Sequence, residues 1–545
     1  MVVNLFHRQG VSFGYGEAGC LFRPVPSERS AAGENKQTGE NSHTPNVTAP
    51  APPCQWVGVA DVRPGCGRMR DTIRFVAQRT AEVPVNLYRL LQQRQANGKL
   101  LRVGLIGAGK FGAMFLAQAH RTPGLHMVGV ADLSVERAKA ALRRVGWPAE
   151  QIAAGTLAEA RDHGATHVGD NVLALIELDG LDIVVDATGD PAAGIVHALA
   201  AVASGKHIVM VNVEADALAG PLLAQRARDA GVVYSLAYGD QPALICELVD
   251  WARAAGFDVV AAGKGTKYLP AYHASTPDTV WSHYGLTPEQ ARLGGMNAQM
   301  FNSFLDGTKS AIEMAAVANA TALRPAPNGL VFPPCSVDDL ALVLRPGDAG
   351  GELHHKGQVE VVSSLERDGQ PVNRDLRWGV YVVFEAPSDY VTRCFAEYGL
   401  KTDSSGRYSA MYKPYHLIGL ELGISVASVG LRNEPTGSPN GFRGDVVAVA
   451  KRDLKVGEML DGEGGYTVWG KLMPAADSLR LGGLPIGLAR AVKLVNDIGA
   501  GQPVRWRDVV VDESSDVVKI RRNMEAMFRN EFDGERRPAE SELPV

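Results

Sequence analysis

Short runs dominated by aliphatic and β-branched residues recur at 101–106, 127–131, 183–186, 207–211 and 232–236. Most are separated by alanine-rich stretches, such as 135–145 and 192–204, whose length and composition suit helices. Strand and helix in alternation predict a parallel, doubly wound sheet of the α/β class. Ahead of it, 83–94 (VPVNLYRLLQQR) predicts an amphipathic helix with its proline in the first turn. Beyond Asp240 the alternation loosens. There 242–255 predicts a helix, 258–262 a strand, 298–322 one long helix and 356–385 antiparallel strands. From about Gly444 to Val511 short Val- and Gly-rich strands take over, and the residues from Asn523 read as a charged, frayed end. The expected divisions are a sheet domain at 86–240, an α+β domain at 241–443, a small β-rich domain at 444–520 and a charged tail at 521–545.

The first 85 residues break this pattern. The stretch 27–53 (SERSAAGENKQTGENSHTPNVTAPAPP) has almost nothing to bury and cannot offset its ordering entropy, so 1–85 is expected to be mostly disordered. Met69 is a candidate alternative start. The full 545 residues exceed what one core organises, and two to four domains are expected. A net charge of -5 gives no basic footprint for nucleic acid or a membrane surface. The apolar runs are strand-sized, far short of the roughly 20 residues of a bilayer span. The N-terminus lacks the charged-then-apolar order of a secretory signal. Cys20, Cys54, Cys66, Cys246, Cys335 and Cys394 form no C-x-x-C pair, which suggests neither a disulfide framework nor a zinc site. A reducing cytoplasm is the corresponding expectation.

Chemistry enters at Gly107-Ala108-Gly109-Lys110-Phe111-Gly112, directly after the first predicted strand and at the mouth of a helix. Asp132 closes the next strand, 20 positions past Gly112. Strand, glycine turn, helix and a later acid together form the fingerprint of a Rossmann-type dinucleotide site. The glycines permit a tight turn and close pyrophosphate approach, and the helix N-terminus favours phosphate. Asp132 suits a ribose 2'-hydroxyl and so NAD, whereas Arg137 beside it suits the 2'-phosphate of NADP. Thr188, Gly189, Asn212 and Glu214 follow later strands at their carboxyl ends and are candidates for the nicotinamide edge.

The candidate catalytic face begins with a glycine-bearing loop, 263–268, that carries Lys264, Lys267 and Tyr268. Its lysines suit an anionic substrate or acid–base work. His273 and Ser275 add donors nearby. Asn302, Asp306, Lys309 and Glu313 recur at helical spacing within one narrow stripe of an otherwise apolar helix. Such a stripe lines a cavity or forms an internal ion ladder with Asp306 and Glu313 bracketing Lys309. Lys413 and His416 lie in Tyr412-Lys413-Pro414-Tyr415-His416, which is expected to open another apolar helix and close the pocket, or to serve packing.

The motifs VGLIGAGKFG (103–112), VVDATGDP (184–191), AAGKGTKYLPAYHASTP (261–277), MFNSFLDGTKSAIEMA (300–315) and YKPYHLIGLELGISVA (412–427) carry a resemblance. Through them, residues 86–511 resemble the homoserine dehydrogenase-like oxidoreductases with a C-terminal SAF (β-clip) domain, and within these the 1-deoxy-D-xylulose 5-phosphate reductoisomerase-like family. The segments 450–458 and 503–509 look like the SAF signature. The resemblance implies a cytoplasmic homodimer that joins through 241–443, with NADP(H) favoured and NAD(H) possible. It implies rearrangement and hydride reduction of a small phosphorylated carbonyl compound, in isoprenoid biosynthesis. Lys264 and Lys267 would hold phosphate or polarise a carbonyl. Asp306, Lys309 and Glu313 would manage protons or a divalent metal. Tyr268, His273, Ser275, Asn302, Lys413 and His416 would contact substrate. Two other readings remain open: reduction of an amino-acid semialdehyde, and a non-catalytic dinucleotide sensor. A sensor has no need of a buried Asp/Lys/Glu ladder.

Overall fold

β1 (Leu101–Ile106), β2 (Leu125–Ala131), β3 (His167–Gly169), β4 (Ile183–Asp186), β5 (His207–Met210) and β6 (Tyr234–Leu236) form one sheet. In the computed structural model, which describes residues 86–535 and side chains to 530, their order is β3-β2-β1-β4-β5-β6, every pair parallel. The expected doubly wound sheet therefore forms, with its crossover between β1 and β4. An open sheet of this kind binds its ligand outside the carboxyl ends of the strands at that point. The edge strand β3 has three residues, too few for a periodic signal in the sequence. Expectations for 1–85 fall outside the described residues.

Local chemistry explains the elements. Ser134, Thr156, Asn171, Asp190 and Asn212 each accept a backbone N–H at a helix start, and Pro191 follows Asp190 where a missing N–H costs nothing. Gly104 and Gly129 leave room on the sheet for Leu175, whose Cδ1 would lie 2.5 Å from a Cβ at Gly129. The helix expected at 83–94 runs from Leu87 to Ala96, capped by Asn86.

A second sheet holds β7 (Asp258–Thr266), β8 (Gln358–Ser363), β9 (Val380–Glu385) and β10 (Tyr408–Lys413), ordered β10-β9-β7-β8. Three expectations need correction here. The two strands within 356–385 do not pair with each other: β8 lies parallel to β7, and β9 is antiparallel to β7 and β10. The 263–266 stretch is not a loop, because β7 continues to Thr266. Its glycines fit the sheet, since a Cβ at Gly263 would lie 1.7 Å from the Glu360 carbonyl oxygen and one at Gly265 2.0 Å from that of Leu376. The 412–416 motif ends β10 and turns, and the apolar helix begins only at Gly423.

The long helix expected over 298–322 is two helices, Ala298–Leu305 and Thr308–Thr321. Asp306 closes the first and Gly307, at φ +91°, turns the chain into the second. That conformation costs glycine nothing and other residues roughly 1–2 kcal/mol.

In the last third, β11 (Gly444–Ala450) pairs with β13 (Val468–Pro474), while β12 (Met459–Asp461), β14 (Arg490–Leu494) and β15 (Val509–Val510) form a three-stranded sheet. These strands do not build a separate core. Val446, Ala448, Leu472 and Ile486 share one apolar cluster with Leu244, Ala262, Ala311 and Ala315. The tail expected from 521 is helical as far as Glu535 within Asp516–Glu535. Its Val517, Ile520, Met524 and Phe528 are buried, because every third or fourth residue is apolar. Among the described residues no helix is long and apolar enough to cross a membrane.

Candidate active site

The glycine turn follows β1 as the sequence requires. Gly107 has φ +93°, and a Cβ there would lie 2.8 Å from the Ala187 carbonyl oxygen. A Cβ on Gly112 would lie 2.1 Å from the Gly107 carbonyl oxygen, so helix Lys110–Ala119 can pack this closely only on glycine. Gly109 instead faces open space and caps that helix with no side chain. The unpaired N–H groups of the first turn are thus open to an anion. Lys110 is exposed beside them, while Phe111 turns partly into the core.

Asp132 is buried at the end of β2. It accepts from the Ala108 N–H at 2.9 Å, the Ser134 N–H at 2.9 Å and Arg137 Nη2 at 2.8 Å. Burial alone would raise its pKa, but these donors outweigh burial and hold it below the ordinary aspartate range. Arg137 is largely exposed and touches Asp132 through one nitrogen.

At the nicotinamide end the candidates separate. Gly189, at φ +74°, faces open space. Thr188 donates to Asp186, and Asn212 donates to Thr188 Oγ1 and the Asp190 carbonyl while its Oδ1 caps helix Val213–Asp229. Thr188 and Asn212 therefore brace the loops. The Glu214 carboxylate pairs with Lys309.

That pair opens a cluster of charge at the carboxyl ends of β5 and β6. Lys264 on β7 pairs with Glu313, and Lys451 Nζ lies 2.8 Å from Asp306 Oδ2. Asp240, just past β6, and Glu463, on the turn after β12, face the same charges. The internal ladder is thus corrected: Asp306, Lys309 and Glu313 each pair with another element; the break at Gly307 parts Asp306 from Lys309, while Glu313 still adds to the field on Lys309. Five carboxyls meet three ammonium groups. Burial pushes Asp240 up to about 7 and Glu463 up to about 8, and raises Asp306 against the pull of Lys451. Lys309 moves the other way. Burial disfavours its charge, but Glu214, Glu313, Glu463 and Asp240 outweigh it and hold the ammonium well above the ordinary lysine range. Near neutral pH Glu463 carries its proton and Asp240 is in mid-titration, while Lys309 stays charged.

The remaining predicted residues lie around this cluster. Half-buried His416 senses Lys264 and Glu313, and its Nδ1 meets the Trp378 carbonyl at 2.7 Å. Lys413 stands apart, paired with Glu247 and donating to Tyr238 Oη at 2.8 Å. Lys267 donates to the His283 carbonyl and is lowered by burial and then by Arg377. Tyr268, His273, Ser275 and Asn302 form a buried framework. His273 joins Tyr268 Oη at 2.9 Å and the Asp306 carbonyl at 2.7 Å, and Ser275 donates to Asn302 at 2.7 Å. Burial lowers His273 to about 4, so the ring is neutral. Asp240, Lys451 and Glu463 escaped sequence reasoning. Asp240 alone carried a signal, as an acid at the carboxyl end of a parallel strand. Among the described residues no three His, Cys, Asp or Glu side chains converge as a metal site.

Residues 103–236 match the family model for the homoserine dehydrogenase NAD binding domain, and 239–422 that for the oxidoreductase DRL catalytic domain. No curated protein matches the chain. Among solved structures, an NAD binding oxidoreductase from Klebsiella pneumoniae is 16% identical over 64% of this chain and 72% of its own, at TM-score 0.27. The 1-deoxy-D-xylulose 5-phosphate reductoisomerase of Zymomonas mobilis with NADPH is 18% identical over 40% and 57%, at TM-score 0.28. Biliverdin reductase from Synechocystis, with biliverdin and NADP+, is 19% identical over 35% and 55%, at TM-score 0.22. The chain spans about half the length of the first solved structures it matches. On the fold just described, residues 103–236 are thus a dinucleotide-binding domain of the homoserine dehydrogenase type and residues 239–422 an oxidoreductase catalytic domain.

Proposed function

We propose that the chain reduces a small phosphorylated carbonyl compound with NADPH, in a reaction of the 1-deoxy-D-xylulose 5-phosphate reductoisomerase kind. The observation that carries this is the pair of buried ammonium groups, Lys264 and Lys309, each fixed by a glutamate at the carboxyl ends of β5 to β7. The reduced dinucleotide supplies the hydride. Lys309, charged at every working pH, holds the carbonyl oxygen and offsets the negative charge that develops there. Glu214 fixes the direction of its ammonium group. Lys264, paired to Glu313 and close to His416, holds a neighbouring substrate oxygen.

Phosphate suits the next residues along. Neither Lys267 nor Arg377 has an ion-pair partner among the described residues, and beyond the burial that chiefly lowers Lys267 the two cations repel each other. A dianion between them would relieve this repulsion. Arg137, with only one nitrogen on Asp132, has guanidinium N–H groups left for a 2'-phosphate, which favours NADPH. The test is loss of nicotinamide absorbance when purified protein meets NADPH and each substrate. Turnover of 1-deoxy-D-xylulose 5-phosphate is expected; turnover of aspartate semialdehyde in its place would overturn the reading.

A further inference from the structure

The turn between β12 and β13 is mostly buried, with Tyr466 its exposed residue. Asp461 accepts from the Tyr466 N–H at 2.6 Å and the Thr467 N–H at 3.1 Å, closing the turn on itself. Helix Ala298–Leu305 then grips its outer side. Gln299 donates to the Asp461 carbonyl at 3.2 Å and to that of Glu463 at 2.8 Å, and Asn302 donates to that of Gly464 at 2.9 Å. Gly464, at φ +66°, lies so close to the helix that a Cβ would stand 2.1 Å from the Gln299 carbonyl oxygen. From the other side Lys451 donates to the Gly465 carbonyl at 2.7 Å, and to that of Ser275 at the same distance. These contacts fix backbone, and the exposed Tyr466 donates to Asp278 at 2.9 Å, which leaves Glu463 as the side chain of the turn that faces the charges. The Glu463 carboxyl hydrogen-bonds Ser303 and faces Glu214 and Lys309, then Asp306.

We infer that Glu463 is the proton donor to the reacting carbonyl oxygen, so that the turn after β12 completes the active site. The inference rests on the reductase reading. As hydride adds to the carbonyl carbon, the C=O π pair moves onto oxygen, which takes the Glu463 proton. An alcohol, a Glu463 carboxylate and the oxidised dinucleotide result, and solvent reprotonates the acid. Rivals are less suited. The raised Lys309 holds its proton too tightly to give it up near neutrality. Asp240 is sealed from water and spends an oxygen on the Gln241 N–H at 2.9 Å. Glu463 as a residue is less buried than Asp240. The groups that set its titration are Glu214, Lys309, Asp306 and Ser303, with Lys451 behind the turn.

The test uses the full chain with Glu463→Gln and Ser303→Ala. In the wild type kcat should fall above about pH 8, where the donor is spent. In Glu463→Gln that fall should vanish and kcat drop on the order of 100-fold, with KM little changed. Ser303→Ala removes a bond to the charged form and should move the fall to higher pH. Independently of any substrate, difference infrared spectra at pH 7 should show protonated-carboxyl absorbance that Glu463→Gln diminishes. Glu463→Gln with wild-type kcat, an unmoved alkaline fall, or an unchanged carboxyl band overturns the inference. A wild type that shows the band but reduces no carbonyl substrate overturns the reductase reading, and the donor role with it.

Discussion

At Arg137, one guanidinium nitrogen on Asp132 serves orientation and the rest of the group faces solvent. Arg137→Ala should raise the KM for NADPH about 10-fold, the worth of roughly 1.4 kcal/mol, and leave that for NADH within about twofold. Parallel titrations with the two cofactors check this, and an equal loss for both would confine the arginine to bracing Asp132. His273 gives a pH signature instead. Its folded pKa of about 4 lies below the usual 6.5, so the unfolded chain binds the extra proton first. Its neutral ring costs nothing above pH 6.5, and stability should decline by about 3 kcal/mol as pH falls from 6.5 to 4. Urea midpoints across that window should fall less steeply in His273→Gln than in the wild type.

Gly307 is where two helices depend on one dihedral angle. Gly307→Ala should cost roughly 1–2 kcal/mol, because a Cβ at φ +91° is strained. It would also stand 3.2 Å from His273 Cε1. Thermal melts check the stability, and a kcat loss beyond the wild-type range at low temperature would show that the bend also sets Lys309. The dinucleotide half was legible in the sequence because its glycines answer to backbone geometry alone: Gly107 and Gly112 are needed wherever a strand, turn and helix pack so closely. The stripe Asn302, Asp306, Lys309 and Glu313 was legible as polar residues in an apolar setting, but its partners were not. Helical spacing runs unbroken through Gly307, whereas the chain does not. Lys451 acts on Ser275 from 176 residues away, a relation that no local pattern encodes.

For the whole molecule, the last helix is an anchor. Arg521 is wholly buried, 2.6 Å from Asp445, 2.9 Å from Glu525 and 3.1 Å from the Leu218 carbonyl. It joins the end of the chain to β11 and to the helix after β5. Arg521→Met would leave Asp445 buried without its cation and Glu525 held only by Arg522 and Trp506, at a cost of about 3–5 kcal/mol by equilibrium unfolding. A loss under about 1 kcal/mol would show that apolar contacts alone hold the helix. The clamp made by Lys451 has a consequence in time. A chain made from its N-terminus has the whole six-stranded sheet, and so a dinucleotide cradle, before residue 451 leaves the ribosome. Chains cut short in that interval can hold cofactor, yet they lack the residues that steady Asp306 and present Glu463. Ribosomes stalled there would sequester nicotinamide without spending it.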